Sequence, residues 1–186
     1  MAALLYLSSP GGFDFFGGSK RGGLRLIASA FAREGTDNSR EVVTVAELDG
    51  RLAGAMAAFP VSEAERRRDR LIWHAMRRRA PWHWLAIWRL AQQGSDAAPN
   101  PPADAFYVDA LATSPDFRRR GVARALLRDA ERQARERGLP WLALDTRAEN
   151  EGARRLYEQF GFDIGEEKPA APPIPALVGY VKRVTA

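Results

Sequence analysis

The run from Ala105 to Gly138 limits the fold more than any other part of the chain. "AFYVDALAT" is an apolar stretch of strand length. "SPDFRRRG" follows, with three consecutive arginines ahead of a glycine. From Arg118 to Gly138 the spacing is helical: Ala123, Leu126, Leu127, Ala130 and Ala134 form one stripe, with arginines and acids opposite. Gly138 and Pro140 end that helix. A strand, a glycine turn and an amphipathic helix in succession place the chain among α/β folds.

Such a turn is also a phosphate-binding device. The first turn of a helix has unpaired N–H groups, and its macrodipole adds about half a positive charge. Glycine lets an anion approach the backbone without a Cβ in the way. Arg118, Arg119, Arg120, Gly121, Val122, Ala123 and Arg124 meet these demands. Read alone, they also fit a helix with an exposed basic first turn. Three cations at the positive end of a helix call for something anionic to offset them.

The flanking segments fill in the order. The start, "SSPGGFDFFGGSKRGG", reads as irregular, and a helix follows from about Leu24 to Arg33, ended by "TDNS". Residues 42–59 read as a β-hairpin turning at Asp49-Gly50. Residues 62–94 read as two helices broken at Pro81, holding four of the five tryptophans and both histidines. A loop rich in proline, "GSDAAPNPPAD", leads to the run at 105. After Gly138 come a short strand "WLALDT", a helix "ENEGARRLYEQF" stopped by Gly161, and two strands, "FDIGEE" and "ALVGYVKRV".

Composition narrows the chemistry. The chain has 186 residues, suited to one domain, with 46% apolar and 27% charged residues. It has no cysteine, which removes disulfides, thiolate catalysis and cysteine zinc sites, and only two histidines, so no metal site is expected. No apolar run reaches membrane-spanning length, and "MAALLYLSS" lacks the basic flank of a signal peptide. A cytoplasmic protein without membrane contact is expected. The net charge of +5 favours anionic partners. No nucleic-acid motif is legible, so a nucleotide cofactor is the expected anion.

Three linked motifs carry a family resemblance. Arg118-x-x-Gly121-x-Ala123 is similar to the (Gln/Arg)-x-x-Gly-x-(Gly/Ala) signature of the GNAT superfamily of acyl-CoA-dependent N-acyltransferases. Leu111-x-Thr113-x-Pro115 resembles that family's strand-to-loop element. Asn150-x-x-Ala153-x-x-x-Tyr157, then Gly161-Phe162, resembles its second motif. The likeness is close over 105–165 and looser at the hairpin and the terminal strands. It implies a single N-acetyltransferase domain over 1–186. The fold it implies is a mixed, mostly antiparallel sheet flanked by helices, with a helical insertion between the third and fourth strands. The chain departs from the family in lacking the strand with which many members begin.

The resemblance also assigns roles. Acetyl-CoA would be the co-substrate, without a metal, and a primary amine of a small molecule or protein the acceptor. Transfer would proceed by direct attack through a tetrahedral intermediate. The backbone of Leu111, Ala112 and Thr113 would pair with the pantetheine arm and polarise the thioester carbonyl. The N–H groups from Arg119 to Arg124 would hold the pyrophosphate, and the arginine rim would suit the 3′-phosphate. Asn150 would contact the cofactor arm, and Tyr157 would protonate the departing thiolate. Read only from its helix, Tyr157 is equally a core residue with a satisfied hydroxyl.

The chemistry needs a neutral amine, donors for the oxyanion and a proton for the thiolate, but no enzyme nucleophile. Asp145 and Asp109 compete as the base, with solvent as a third acceptor of the proton. Alternation would put Asp109, Leu111 and Thr113 on one face of their strand. Trp73, His74, Trp82, His83, Trp84 and Trp88 either line the acceptor pocket or form core or a homodimer surface. The arginine-rich block argues against a strongly cationic acceptor unless Asp109 and Asp145 dominate the pocket. A non-catalytic acyl-CoA sensor of the same fold is the alternative function.

Overall fold

The computed structural model describes residues 1–184. Three helices come first: α1 (Ala2–Tyr6), α2 (Pro10–Gly17) and α3 (Lys20–Phe31). The glycine-rich start is therefore helical rather than irregular. Pro10 sits in the first turn of α2, where a missing N–H costs nothing, and Gly18 at φ 78° ends it. Ser19 caps α3 by accepting the Gly22 N–H at 3.1 Å, so that helix begins four residues before the expected Leu24. Packing outweighs the low helix propensity of glycine here: Leu5, Phe13, Leu26 and Ile27 share one core.

The hairpin forms as expected, with β1 (Val43–Leu48) and β2 (Arg51–Pro60) joined through Asp49 and Gly50, both at positive φ. Next come α4 (Val61–Met76) and α5 (Trp84–Ala97), separated by a 3₁₀ turn at Pro81–His83. This helical pair lies between the second and third strands, not the third and fourth, because no strand precedes the hairpin among the described residues. The chain continues through β3 (Ala105–Thr113), α6 (Val122–Glu136), β4 (Trp141–Arg147), α7 (Glu151–Phe160), β5 (Asp163–Lys168) and β6 (Leu177–Arg183).

The six strands form one sheet in the order β1-β2-β3-β4-β6-β5. Among the described residues only β3 and β4 run parallel; every other pair is antiparallel. One face packs against α6 and α7 through Met56, Phe106, Leu126, Leu127, Leu142, Leu144 and Tyr180. The other packs against α1–α4 through Leu5, Leu26, Ile27, Ala55, Ala57, Leu71 and Ala110. Burying a side chain such as Phe106 contributes about 1.5–3 kcal/mol.

Two details of this sheet position the site. First, α6 starts at Val122, not Arg118. Arg119 (φ 57°) and Gly121 (φ 82°) are left-handed and cannot belong to the helix, so the three arginines lie in the loop before it. The buried stripe is consequently Val122, Leu126, Leu127, Ala130 and Ala134, with Val122 in place of the expected Ala123. Second, β3 bulges. Ala57 faces Ala110 while Ala58 faces Val108, which leaves Asp109 without a partner. The extra residue reverses the alternation: Leu111 packs toward the α6 side, and Asp109 opens on the opposite face. Asp109 and Leu111 therefore do not share a face, contrary to simple alternation.

Candidate active site

The parallel pairing of β3 with β4 ends at Val108 and Leu144. Beyond that point β3 continues with β2 alone, and β4 with β6 alone. The sheet thus splits between residues 109–113 and 145–147. Leu111, Ala112 and Thr113 form one lip of this split, with Asp145 at the start of the other. Backbone groups along both lips lack a strand partner across the gap.

At the α6 end of the split lies a row of free donors. Ala125 is the first residue of α6 whose N–H meets a carbonyl, that of Gly121, at 2.9 Å. The N–H groups of Arg119, Arg120, Gly121, Val122, Ala123 and Arg124 meet no acceptor among the described residues, and no side chain caps the helix. A Cβ at Gly121 would find no protein atom within 4 Å. Six free donors around an open, left-handed glycine make an anion-binding concavity. The loop is seated from below by Gly54, which the sequence reading missed. A Cβ on Gly54 would lie 2.6 Å from Val122 Cγ1 and 3.0 Å from the Ala112 carbonyl oxygen.

The arginines divide their work. Arg120 pairs with Asp49 of the hairpin turn at 2.9 Å and lies over the Phe117 ring. This supplies part of the anionic offset that the sequence demands. Arg118 and Arg119 are exposed and have no ion-pair partner among the described residues.

Asn150 and Tyr157 belong to α7. The Asn150 carbonyl oxygen accepts the Ala153 N–H at 3.3 Å, and its amide donates to Thr146 Oγ1 at 3.2 Å. Asn150 is thereby the N-cap that fixes where α7 starts, and Ala153 packs against the core. Two turns on, Tyr157 is 6% exposed, in edge contact with Phe162 and Tyr180 at centroid distances of 5.9 and 5.6 Å. Its hydroxyl has no hydrogen-bond partner among the described residues. Burial, then the charge of Asp145, raises its pKa above the usual phenol value. It is core by its ring, but its hydroxyl is not a satisfied structural donor.

Across the sheet lies a cleft of about 690 Å³. Asp109 lies on its floor, beside Tyr107, Phe59 and Asp37. The surrounding walls deprive Asp109 of part of its water; this, then the charges of Asp37 and Asp145, pushes its pKa well above the carboxylate range. Its side chain still meets solvent in the open cleft, which tempers that shift. It has no hydrogen-bond partner among the described residues. Asp145 differs, because the Tyr107 hydroxyl donates a short hydrogen bond to it. Burial raises the Asp145 pKa while that bond opposes the rise. Tyr107 was legible only as a strand residue; its place two positions before Asp109 was the available signal.

The helical block contributes its other residues to this cleft: Ala64, Arg68, Leu71 and Ile72 of α4, and Leu90, Gly94 and Ser95 of α5. Trp73, Trp82 and Trp88 are more than half exposed, and none of the four tryptophans lines the cleft. The Trp84 N–H donates to the Met76 carbonyl at 2.7 Å. His74 is bound through Nε2 to Ser29 Oγ at 2.6 Å, and burial together with nearby arginines lowers its pKa. It is a structural residue and does not line the cleft.

Known proteins match this chain in sequence and in fold. The model of the acetyltransferase (GNAT) family matches residues 19–162. Mycothiol acetyltransferase of Nocardiopsis dassonvillei is 33% identical over 95 residues, which is 50% of this chain and 27% of that protein. A ribosomal-protein alanine N-acetyltransferase of Escherichia coli strain K12 is 42% identical over 53 residues, 28% of this chain and 36% of that one. The matched stretches thus span about a third or less of these curated relatives. A solved acetyltransferase structure superposes with a TM-score of 0.70 at 19% identity, covering 99% of this chain and 93% of its own. A protein from Bacillus anthracis strain Ames, solved in complex with acetyl coenzyme A, superposes at 0.51 and 15% identity, covering 76% of this chain and 61% of its own. The split parallel pair, the open glycine cradle and the family match over most of its length place this chain in the GNAT family of acetyltransferases.

Proposed function

We propose that the chain is an acetyl-CoA-dependent N-acetyltransferase acting on a primary amine. The observation that carries this reading is the split in the sheet, with a cradle of free N–H groups on one side and a carboxylate-floored cleft on the other. The cradle fits the phosphates of the donor: six amides from Arg119 to Arg124 are free, and Gly121 leaves the approach open. When bound, acetyl-CoA supplies an acyl group already activated as a thioester.

This chain's residues do the rest. The lip at Leu111, Ala112 and Thr113 offers backbone groups to the donor arm and to the acyl oxygen. Asp109 takes the proton of the incoming amine. It is preferred over Asp145 because its carboxyl is unpartnered among the described residues and opens on the cleft, whereas Asp145 is held by Tyr107. Tyr157 lends its unpartnered hydroxyl to the departing sulfur. The Asn150 cap keeps Tyr157 in register with the split.

The test is release of free thiol from acetyl-CoA over a panel of amines, with the acetylated product identified by mass. Acceptor-dependent thiol release supports the reading. Stabilisation of the protein by CoA with no turnover on any amine would overturn it in favour of a sensor.

A further inference from the structure

The loop between α3 and β1 is a buried polar knot. Thr36, Asp37, Asn38 and Ser39 are 2%, 8%, 1% and 0% exposed. Arg67 holds the knot from behind, donating to the Thr36 carbonyl at 3.2 Å and pairing with Glu63 at 2.7 Å and Glu41 at 3.3 Å. Asp37 and Asn38 line the same cleft as Asp109. The Asn38 amide donates to Asp37 at 2.8 Å, and the Asn38 Oδ1 is buried with no hydrogen-bond partner among the described residues.

The knot leaves acceptors without a cation paired to them among the described residues. Asp37 and Asp109 form no ion pair among the described residues; Asp109 feels the charge of Asp37, and Asp37 feels that of Arg67 only at a distance beyond pairing. Glu65 adds another carboxylate to the lining, and Asp145 accepts a hydrogen bond from the Tyr107 hydroxyl. The cations nearby are engaged elsewhere. Arg68 lines the cleft but donates to Ser95 Oγ at 2.6 Å and pairs with Asp69 at 3.5 Å, and Arg67 is turned toward Glu41 and Glu63. An ammonium group brings a positive charge and three donors with no acceptor, the complement of what Asp37 and Asn38 present. Phe59, Leu71 and Ile72 give the cleft an apolar wall suited to a methylene chain. No group of three carboxylates or histidines is arranged to hold a metal ion among the described residues.

We propose that the acceptor carries two cationic nitrogens: one reacts at Asp109, and the second binds at Asp37 and Asn38. This deepens the functional reading above and rests on it for the reacting amine. The acceptor class is therefore a diamine, or a basic residue presenting two amines, rather than a simple alkylamine.

The experiment compares straight-chain monoamines with α,ω-diamines of equal length, by kcat/KM and by thermal stabilisation without acetyl-CoA. Wild type should favour the diamine by about tenfold or more, as for a buried charge pair. Asp37→Asn should bring that ratio close to one. If Asp37→Asn fails to fold, Asn38→Leu removes the orphan acceptor and should also lower the ratio. Equal kcat/KM for both amines in wild type, or a preference that survives Asp37→Asn, overturns the proposal. Absence of turnover with every amine overturns the functional reading instead. In that case stabilisation by diamine of wild type but not of Asp37→Asn still supports the subsite.

Discussion

At Asp109 the proposed role and stability pull in opposite directions. Its pKa is higher in the folded protein than in the unfolded chain, so folding favours its protonated form. Below the unfolded value of about 3.9 the group costs nothing. As pH rises above that, the ionised carboxylate increasingly destabilises the fold. Asp109→Asn should therefore raise the melting temperature at pH 7.5, with the gain shrinking toward pH 4. Asp37, raised to about 6 by burial, adds a similar loss between its unfolded value and that pH. The same Asp109→Asn variant should lose about 100-fold to 10,000-fold in rate and the acidic limb of its pH–rate profile. A lower melting temperature at every pH would make the carboxylate structural, and an unchanged rate would leave the proton to solvent. Tyr157→Phe tests the other end of the reaction. Its hydroxyl has no partner to lose among the described residues, so melting temperature should hold while kcat falls by a similar factor and the Kd for acetyl-CoA stays. A large loss of stability at constant rate would assign the hydroxyl to packing.

At the scale of elements, α6 carries its own control. Gly121 and Gly138 flank the helix, both at positive φ, and a Cβ on either would meet nothing within 4 Å. Alanine at either position should cost about 1–2 kcal/mol for the left-handed backbone, a few degrees in a chain of this length. Only Gly121→Ala should also weaken CoA binding by calorimetry; equal affinities in the two variants would move the cradle elsewhere. Gly54→Ala should weaken it too, because the new Cβ pushes on Val122 and on the Ala112 carbonyl, the two sides of the cradle. These elements were unequally legible. The hairpin, β3 and α7 were readable because Asp49-Gly50, the apolar run and the Asn150-to-Gly161 caps are local signals. The start of α6 was misplaced because Arg119 takes a left-handed backbone that no side chain announces. The bulge at Asp109 was invisible because register depends on Ala57 and Ala58 of β2, far away in sequence. The polar knot at 36–39 read as a helix stop, since its burial depends on Arg67 from another helix. Asp37 and Tyr107 were missed for the same reason: each matters only for what the fold sets beside it.

Across the whole molecule the two sides of the split differ in sign. The α6 side presents free N–H groups and exposed Arg118 and Arg119, while the opposite cleft is floored by Asp109 and walled by Asp37. The net charge of +5 therefore hides a local reversal that total composition cannot report. An anionic donor and a cationic acceptor would each be drawn to its own face, which limits binding of either in the other's place. Added salt should then weaken both, since the arginine rim is exposed and Debye screening shortens from about 10 Å at 0.1 M to about 3 Å at 1 M. The affinity for CoA should fall steadily over that range. The dependence should be shallower in Arg118→Ala, whose guanidinium has no ion-pair partner among the described residues. Arg120→Ala should change it less, because Asp49 already neutralises Arg120 at 2.9 Å. Identical salt slopes in wild type and Arg118→Ala would mean that this arginine does not face the ligand. A steeper effect in Arg120→Ala than in Arg118→Ala would mean that the pair with Asp49 opens when CoA binds.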